Sequence, residues 1–178
     1  MTPFEIDQCL KSIRILVDTR EQESDRAVRR YDSFGCPYER RTLDYGDYTY
    51  DFILPNGQYL FDDIGTVRGS AVIERKMSLT ELSGNFTRSR KRFTEEFERI
   101  KAAGSSVYLL IEDGSWEKLK AGHYNTKFRP QAFMASLTAW MARYDCKVVF
   151  CRRETSGLMI KEILYRELKE RLERGEYG

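Results

Sequence analysis

Apolar residues fall along this chain in two rhythms, and the rhythms place most of its elements. Ile13 to Val17 (IRILV), Ala71 to Ile73, Ser106 to Ile111 (SVYLLI) and Lys147 to Cys151 (KVVFC) are short β-branched or apolar runs. Such runs predict buried strands. Tyr38 to Tyr50 (YERRTLDYGDYTY) predicts two strands with a break at Gly46. Phe52 to Leu54 and Tyr59 to Phe61 flank Pro55-Asn56-Gly57-Gln58, a hairpin signal. Helical spacing takes over between these runs. Ser24-Asp25 caps a helix to about Phe34, closed by Gly35 and Pro37. Leu79, Leu82, Phe86, Phe93, Phe97 and Ile100 mark one face of a long helix that Gly104 ends. Ser78 and Glu81 form a capping box at its start, so Glu81 is read as a cap rather than a ligand. Short helices are expected over Thr2 to Lys11 and Trp116 to Lys120. Pro130 opens a helix with Phe133, Met134, Leu137, Trp140, Met141 and Tyr144 on a broad apolar face. A tail helix from about Thr155 to Arg174 carries Ile160, Ile163, Leu164, Leu168 and Leu172. No linker or repeat divides the chain. It reads as one α/β domain over residues 1–178, with a core from about 13 to 151.

Composition narrows the chemistry. A chain of 178 residues, 41% hydrophobic and 33% charged, can build a real core. Net charge is only +2, so any nucleic-acid binding must rest on a local patch. No apolar run reaches the ~20 residues of a membrane span. The first twenty residues carry Glu5, Asp7, Lys11 and Arg14, and no signal peptide is readable. Cys9, Cys36, Cys146 and Cys151 form no C-x-x-C pair, which argues against zinc and for reduced thiols in the cytoplasm. His123 is the one histidine. Histidine-paired nucleophiles, H-E-x-x-H and a phosphate-binding G-x-x-x-x-G-K-[ST] loop are all excluded.

The candidate chemistry lies at strand ends. On the strand that starts at Ala71, alternate side chains share a face, so Glu74 and Lys76 point one way and Arg75 the other. A carboxylate beside an ammonium suits metal-assisted phosphodiester hydrolysis, one holding a hard cation and the other positioning water. Asp47, after Gly46, supplies a second acid. Asp18, Arg20 and Glu21 follow another buried strand, where α/β folds place their sites. Asp18 or Glu21 would join the metal through water. Arg75 is expected to pair with Glu21 or another buried acid. Asp62-Asp63 lie in a polar hairpin exit and are read as loop residues. Arg88, Lys91 and Arg92 fall off the apolar helix face and are candidates for contact with a phosphate backbone.

VDTREQ, LDYGDY, VIERKMSLTELSGNF, RKRFTEEFERI and VYLLIED, in that order, resemble the nuclease domain of the XPF-type structure-specific endonucleases of the PD-(D/E)xK superfamily. The resemblance runs from about Ile13 to Cys151 and is similar to small stand-alone bacterial or phage members. It implies a restriction-endonuclease-like central mixed sheet flanked by helices. It also implies Mg²⁺- or Mn²⁺-dependent endonucleolytic cleavage of branched, flapped or forked DNA in repair or recombination, and a homodimer. By position, Asp47 and Glu74 match the metal ligands and Lys76 the catalytic lysine. Asp18, Arg20 and Glu21 match the first motif, and Arg75 and Arg92 match arginines near the site. Thr80 stands where the motif E-R-K-x-x-x-D has its aspartate, and nothing after Cys151 resembles the helix-hairpin-helix pair of larger members. Some relatives keep the fold, lose the acids and act as DNA-binding or dimerisation partners. An RNA substrate stays open too, because the motif does not read the sugar.

Overall fold

The structure is a computed structural model that describes residues 1–62 and 64–177. Asp63 lies outside the described residues. The chain is α/β, and its described residues group into two compact units, one within 1–72 and 157–177 and the other 73–156.

The first unit is built on β1 (Arg14–Asp18). On one side β1 pairs in parallel with β2 (Tyr38–Leu43), Ile15 opposite Tyr38. On the other it pairs antiparallel with β3 (Tyr48–Asp51), Leu16 opposite Thr49. The short β4 (Thr66–Val67) extends β2 in parallel. The opening residues of β5 (Ala71–Lys76) follow β3, where the Thr49 hydroxyl donates to the Ala71 carbonyl. The Gly46 break therefore does not fold a hairpin. It carries the chain from one side of β1 to the other, and a positive φ of 72° at Gly46 makes the turn.

Helix α1 (Pro3–Lys11) is firmly started, because Thr2 and Glu5 complete a reciprocal capping box. Helix α2 (Asp25–Asp32) is capped by Ser24. Its Tyr31 packs against Phe34 and Tyr38, and Phe34 packs against Tyr48. Helix α7 (Ser156–Glu173) buries Ile160, Leu164, Leu168 and Leu172. Gly157 lets its first turn approach α2 closely, since a Cβ there would stand 2.3 Å from the Arg30 carbonyl oxygen.

The expected hairpin over Phe52 to Phe61 is reduced to a single bridge, Ile53 to Tyr59. The reason is a side chain. The Asp51 carboxylate takes the Phe52 amide, which a longer ladder would have paired with Leu60, and also accepts the Phe61 amide.

In the second unit the order is β5, β6 (Ser106–Glu112), β7 (Lys147–Cys151), with β6 and β7 parallel. The long helix expected from Ser78 to Gly104 is two helices, α3 (Leu79–Phe86) and α4 (Arg90–Ala102). The apolar spacing continues through the break, which is why periodicity alone did not reveal it. Thr87 leaves helical geometry (φ −117°, ψ −87°), and its hydroxyl donates to the Ser83 carbonyl. Such side-chain bonds compete with the helix ladder. Helices α5 (Trp116–Lys120) and α6 (Pro130–Tyr144) follow as expected. Phe86, Phe93, Phe97, Phe133, Trp140 and Tyr144 close the core between α3, α4 and α6, with Phe93 stacked on Trp140 at 5.7 Å.

All four cysteines are free. Burial pushes the Cys146 thiol up to about 12 and Cys151 to about 11, and raises Cys9 and Cys36 as well. Among the described residues no helix is long and apolar enough to cross a membrane.

Candidate active site

In the first unit the motif acids sit at the end of β1 and after Gly46. Asp18 is buried and its amide donates to the Asp47 carbonyl at 2.9 Å, which sets these two residues side by side. One Asp18 oxygen accepts the Leu43 amide at 3.2 Å and the other accepts from Arg20. Arg20 also donates to the Leu43 carbonyl at 3.0 Å. Asp18 and Arg20 thus clamp the end of β2. Glu21 accepts from the Tyr48 hydroxyl at 2.8 Å and pairs with Arg30 at 3.2 Å, and Arg30 donates to Tyr48 at 3.0 Å. Asp47 is half-buried beside this framework. Sequence reasoning missed Arg30. The signal was its place on the apolar stripe Ala27, Arg30, Tyr31, Phe34, where a charge must find a buried partner.

In the second unit β5 puts Glu74 and Lys76 on one face, as strand alternation requires. The Lys76 ammonium donates to Glu74 Oε1 at 2.6 Å and lies 5.4 Å from the centre of the Phe93 ring. Arg75 points to the other face and pairs at 3.3 Å with Glu112, which is fully buried. That is the buried acid the sequence left unnamed. Ser78 caps α3, and Glu81 accepts the Met77 amide at 2.8 Å, so Glu81 acts as a cap. Thr80 Oγ1 accepts the Asn125 amide at 3.0 Å. Arg88 lies between α3 and α4, Lys91 and Arg92 lie in the first turn of α4, and all three are exposed.

Glu74 Oε2 is buried and has no hydrogen-bond partner among the described residues. A buried carboxylate oxygen with no donor is costly, and a cation is one remedy. Burial raises the Glu74 pKa to about 7, helped by Glu96 and opposed by Lys76. Because the folded value lies above the ordinary 4.5, Glu74 favours folding below pH ~4.5 and that contribution is lost as pH rises towards 7. Glu74→Gln does not titrate. In EDTA it should match wild type near pH 4.5 and melt above it at pH 8, read by thermal melts at the two pH values. Equal melting at pH 8 would refute the burial cost.

Among the described residues no three Asp, Glu, His or Cys side chains gather closely enough to cage a metal. Mg²⁺ needs less, since it keeps several waters and binds through one or two carboxylates with substrate phosphates. The orphaned Glu74 oxygen fits that demand.

The ERCC4 domain matches residues 17–162. The chain belongs to the ERCC4-domain family, the XPF-type nuclease domain. Its fold is similar to XPF from Aeropyrum pernix at 20% identity and TM-score 0.58, over 86% of this chain and 61% of that one. It is also similar to XPF from Aeropyrum pernix in complex with DNA at 20% identity and TM-score 0.59, over 89% and 66%. This ERCC4 domain thus spans 61% and 66% of those chains. No curated protein sequence matches it.

Proposed function

We propose that this ERCC4 domain is a divalent-metal-dependent DNA endonuclease that acts on branched, flapped or forked DNA. The observation that carries the reading is the buried, unpartnered Glu74 oxygen beside Lys76. Family membership supports nuclease chemistry, and the likeness to an XPF bound to DNA supports the substrate.

Glu74 would hold Mg²⁺ or Mn²⁺ through its unpartnered oxygen, and Asp47 matches the family's second metal-binding acid by position. When bound, the cation polarises the scissile phosphate and favours ionisation of the attacking water. Lys76, fixed by Glu74 Oε1 and the Phe93 ring, orients that water or neutralises the developing phosphate charge. Asp18, Arg20 and Glu21 are engaged with Leu43, Arg30 and Tyr48. Their part is to hold the strand ends, with any contribution of Asp18 or Glu21 to the cation made through water. Arg75 braces β5 through Glu112.

Arg88, Lys91 and Arg92 neutralise phosphates. Replacing Arg88 and Arg92 by Ala should weaken DNA binding and flatten its salt dependence by ~0.9 per lost contact on a log-log plot. An unchanged slope would return them to plain surface.

The homodimer rests on the resemblance. Trp140 and Leu168 are 1% and 0% exposed within one chain, so neither faces a second copy, while Leu158 of α7 is half exposed. Sedimentation at micromolar concentration tests it, and a monomer there rejects it. The experiment that decides function is a cleavage panel with Mg²⁺ or Mn²⁺. It takes flap, fork, four-way junction, single-stranded and linear DNA, and an RNA control. Binding without cleavage on every substrate would favour a non-catalytic partner.

A further inference from the structure

From Lys118 to Tyr144 the chain carries no acid, while Lys118, Lys120, Lys127, Arg129 and Arg143 all fall there. In a chain of net charge +2 this is a concentrated positive stretch. Most arginines elsewhere are taken up by carboxylates, Arg14 by Asp51, Arg30 by Glu21, Arg40 by Glu23 and Arg75 by Glu112. Lys120, Lys127 and Arg129 are exposed, and among the described residues none of them has an ion-pair partner. These cations have been left to water, where they are available to an anion.

Their placement is not that of a plain solvated face. Lys120 and Arg129 stand at a groove of about 710 Å³ whose lining includes Pro130, Met134 and Ala135. That size lies within the ~300–1,000 Å³ of sites that take organic ligands. The loop that carries the cations is also fastened. Asn125 donates to Thr80, and the Thr126 and Ser83 hydroxyls lie 3.0 Å apart. Both anchors sit on α3, the helix that follows Glu74 and Lys76 in the chain.

Paired cations beside an apolar floor select among anions. A duplex offers phosphates but hides its base faces in the stack. An unpaired strand offers both, and binds where a positive groove meets surfaces that accept bases. We propose that the groove between α5 and α6 holds an unpaired strand of DNA, with phosphates on Lys120, Lys127 and Arg129 and bases against Pro130 and Met134. The proposal deepens the nuclease reading by giving its substrate a single-stranded arm, held by a loop tied to the candidate catalytic segment through Thr80. Thr80 serves as the tether, and its uncharged hydroxyl accepts the Asn125 amide.

The test is binding in EDTA, so that no cleavage is required. The probes are a fluorescein-labelled oligothymidine and a blunt duplex of equal length. Lys120→Glu with Arg129→Glu should weaken the single strand at least ~10-fold and lower its log-log salt slope by ~0.7 per lost contact, while the duplex changes little. Both positions are exposed, and an unchanged melting temperature confirms the fold. Cross-linking of bromodeoxyuridine DNA to the wild-type protein gives a second measurement, with the adduct expected between Lys120 and Thr138. Failure of wild type to bind the single strand, equal loss on both probes, or an adduct confined to residues 88–92 would overturn the groove. Loss of cleavage in Glu74→Gln with these binding results intact, or the reverse, separates this inference from the nuclease reading.

Discussion

Asp47→Asn, Glu74→Gln and Lys76→Ala should each abolish metal-dependent cleavage of the preferred DNA, by about 10³-fold or more. Uncatalysed phosphodiester hydrolysis is so slow that a useful nuclease must work in the upper part of the ~10⁶–10¹⁷ range of acceleration. Little of that survives when a carboxylate that holds the cation is lost. Lys76 is equally exposed to the argument, because its ammonium is fixed at 2.6 Å from Glu74 and has no roaming surface role. None of the three changes should lower the melting temperature much, and Glu74→Gln should raise it at pH 8, since charges gathered for chemistry oppose folding more than they aid it. Initial rates on the best substrate of the panel, with melts alongside, check both halves. Full activity in Lys76→Ala would remove the lysine from the mechanism.

Asp51→Ala should be the most damaging change to stability, at about 3–5 kcal/mol. Asp51 is fully buried at the end of β3. One oxygen accepts the Phe52 and Phe61 amides, and the other accepts Arg14 Nε and Nη2 at 3.1 and 2.7 Å. Removal strands two buried donors and leaves a guanidinium, stacked on Tyr59 at 3.5 Å, with Glu39 at 2.6 Å as its remaining acid. For a chain of this length the loss corresponds to a fall on the order of 10 °C in melting temperature. Asp7→Ala is the matched control. Its pair with Lys11 is exposed on both sides, so its effect should be slight. A small shift in Asp51→Ala would mean that water replaces the lost carboxylate.

Asp51 also marks where sequence reading stopped. The pattern YTYDFIL shows a strand, and nothing in it shows that the aspartate turns inward to finish two amides and hold Arg14. The strands themselves were legible because apolar runs reflect burial directly. Their neighbours were not, because pairing β2 in parallel on one side of β1 and β3 antiparallel on the other depends on contacts distant in sequence. The E-x-K face was legible from strand alternation alone. The break at Thr87 was hidden because the phenylalanines keep helical spacing across it. Arg30 was hidden because a charge on an apolar stripe gives no hint of which acid it meets.

The four thiols carry a practical consequence. Alkylating reagents react with thiolates, and a thiol near 11 holds only about one part in 10⁴ as thiolate at pH 7. Cys151 and Cys146 are at or above that value, and burial raises Cys9 and Cys36 too. Cys146 and Cys151 should therefore be nearly silent to maleimide at neutral pH, and Cys9 and Cys36 slower than an ordinary thiol. A cysteine placed at the exposed Ala121, at the end of α5, would keep an ordinary thiol and outpace all four. A dye could then be attached there in one step, without first stripping the chain of its own cysteines, and the arrival of a DNA strand followed in real time.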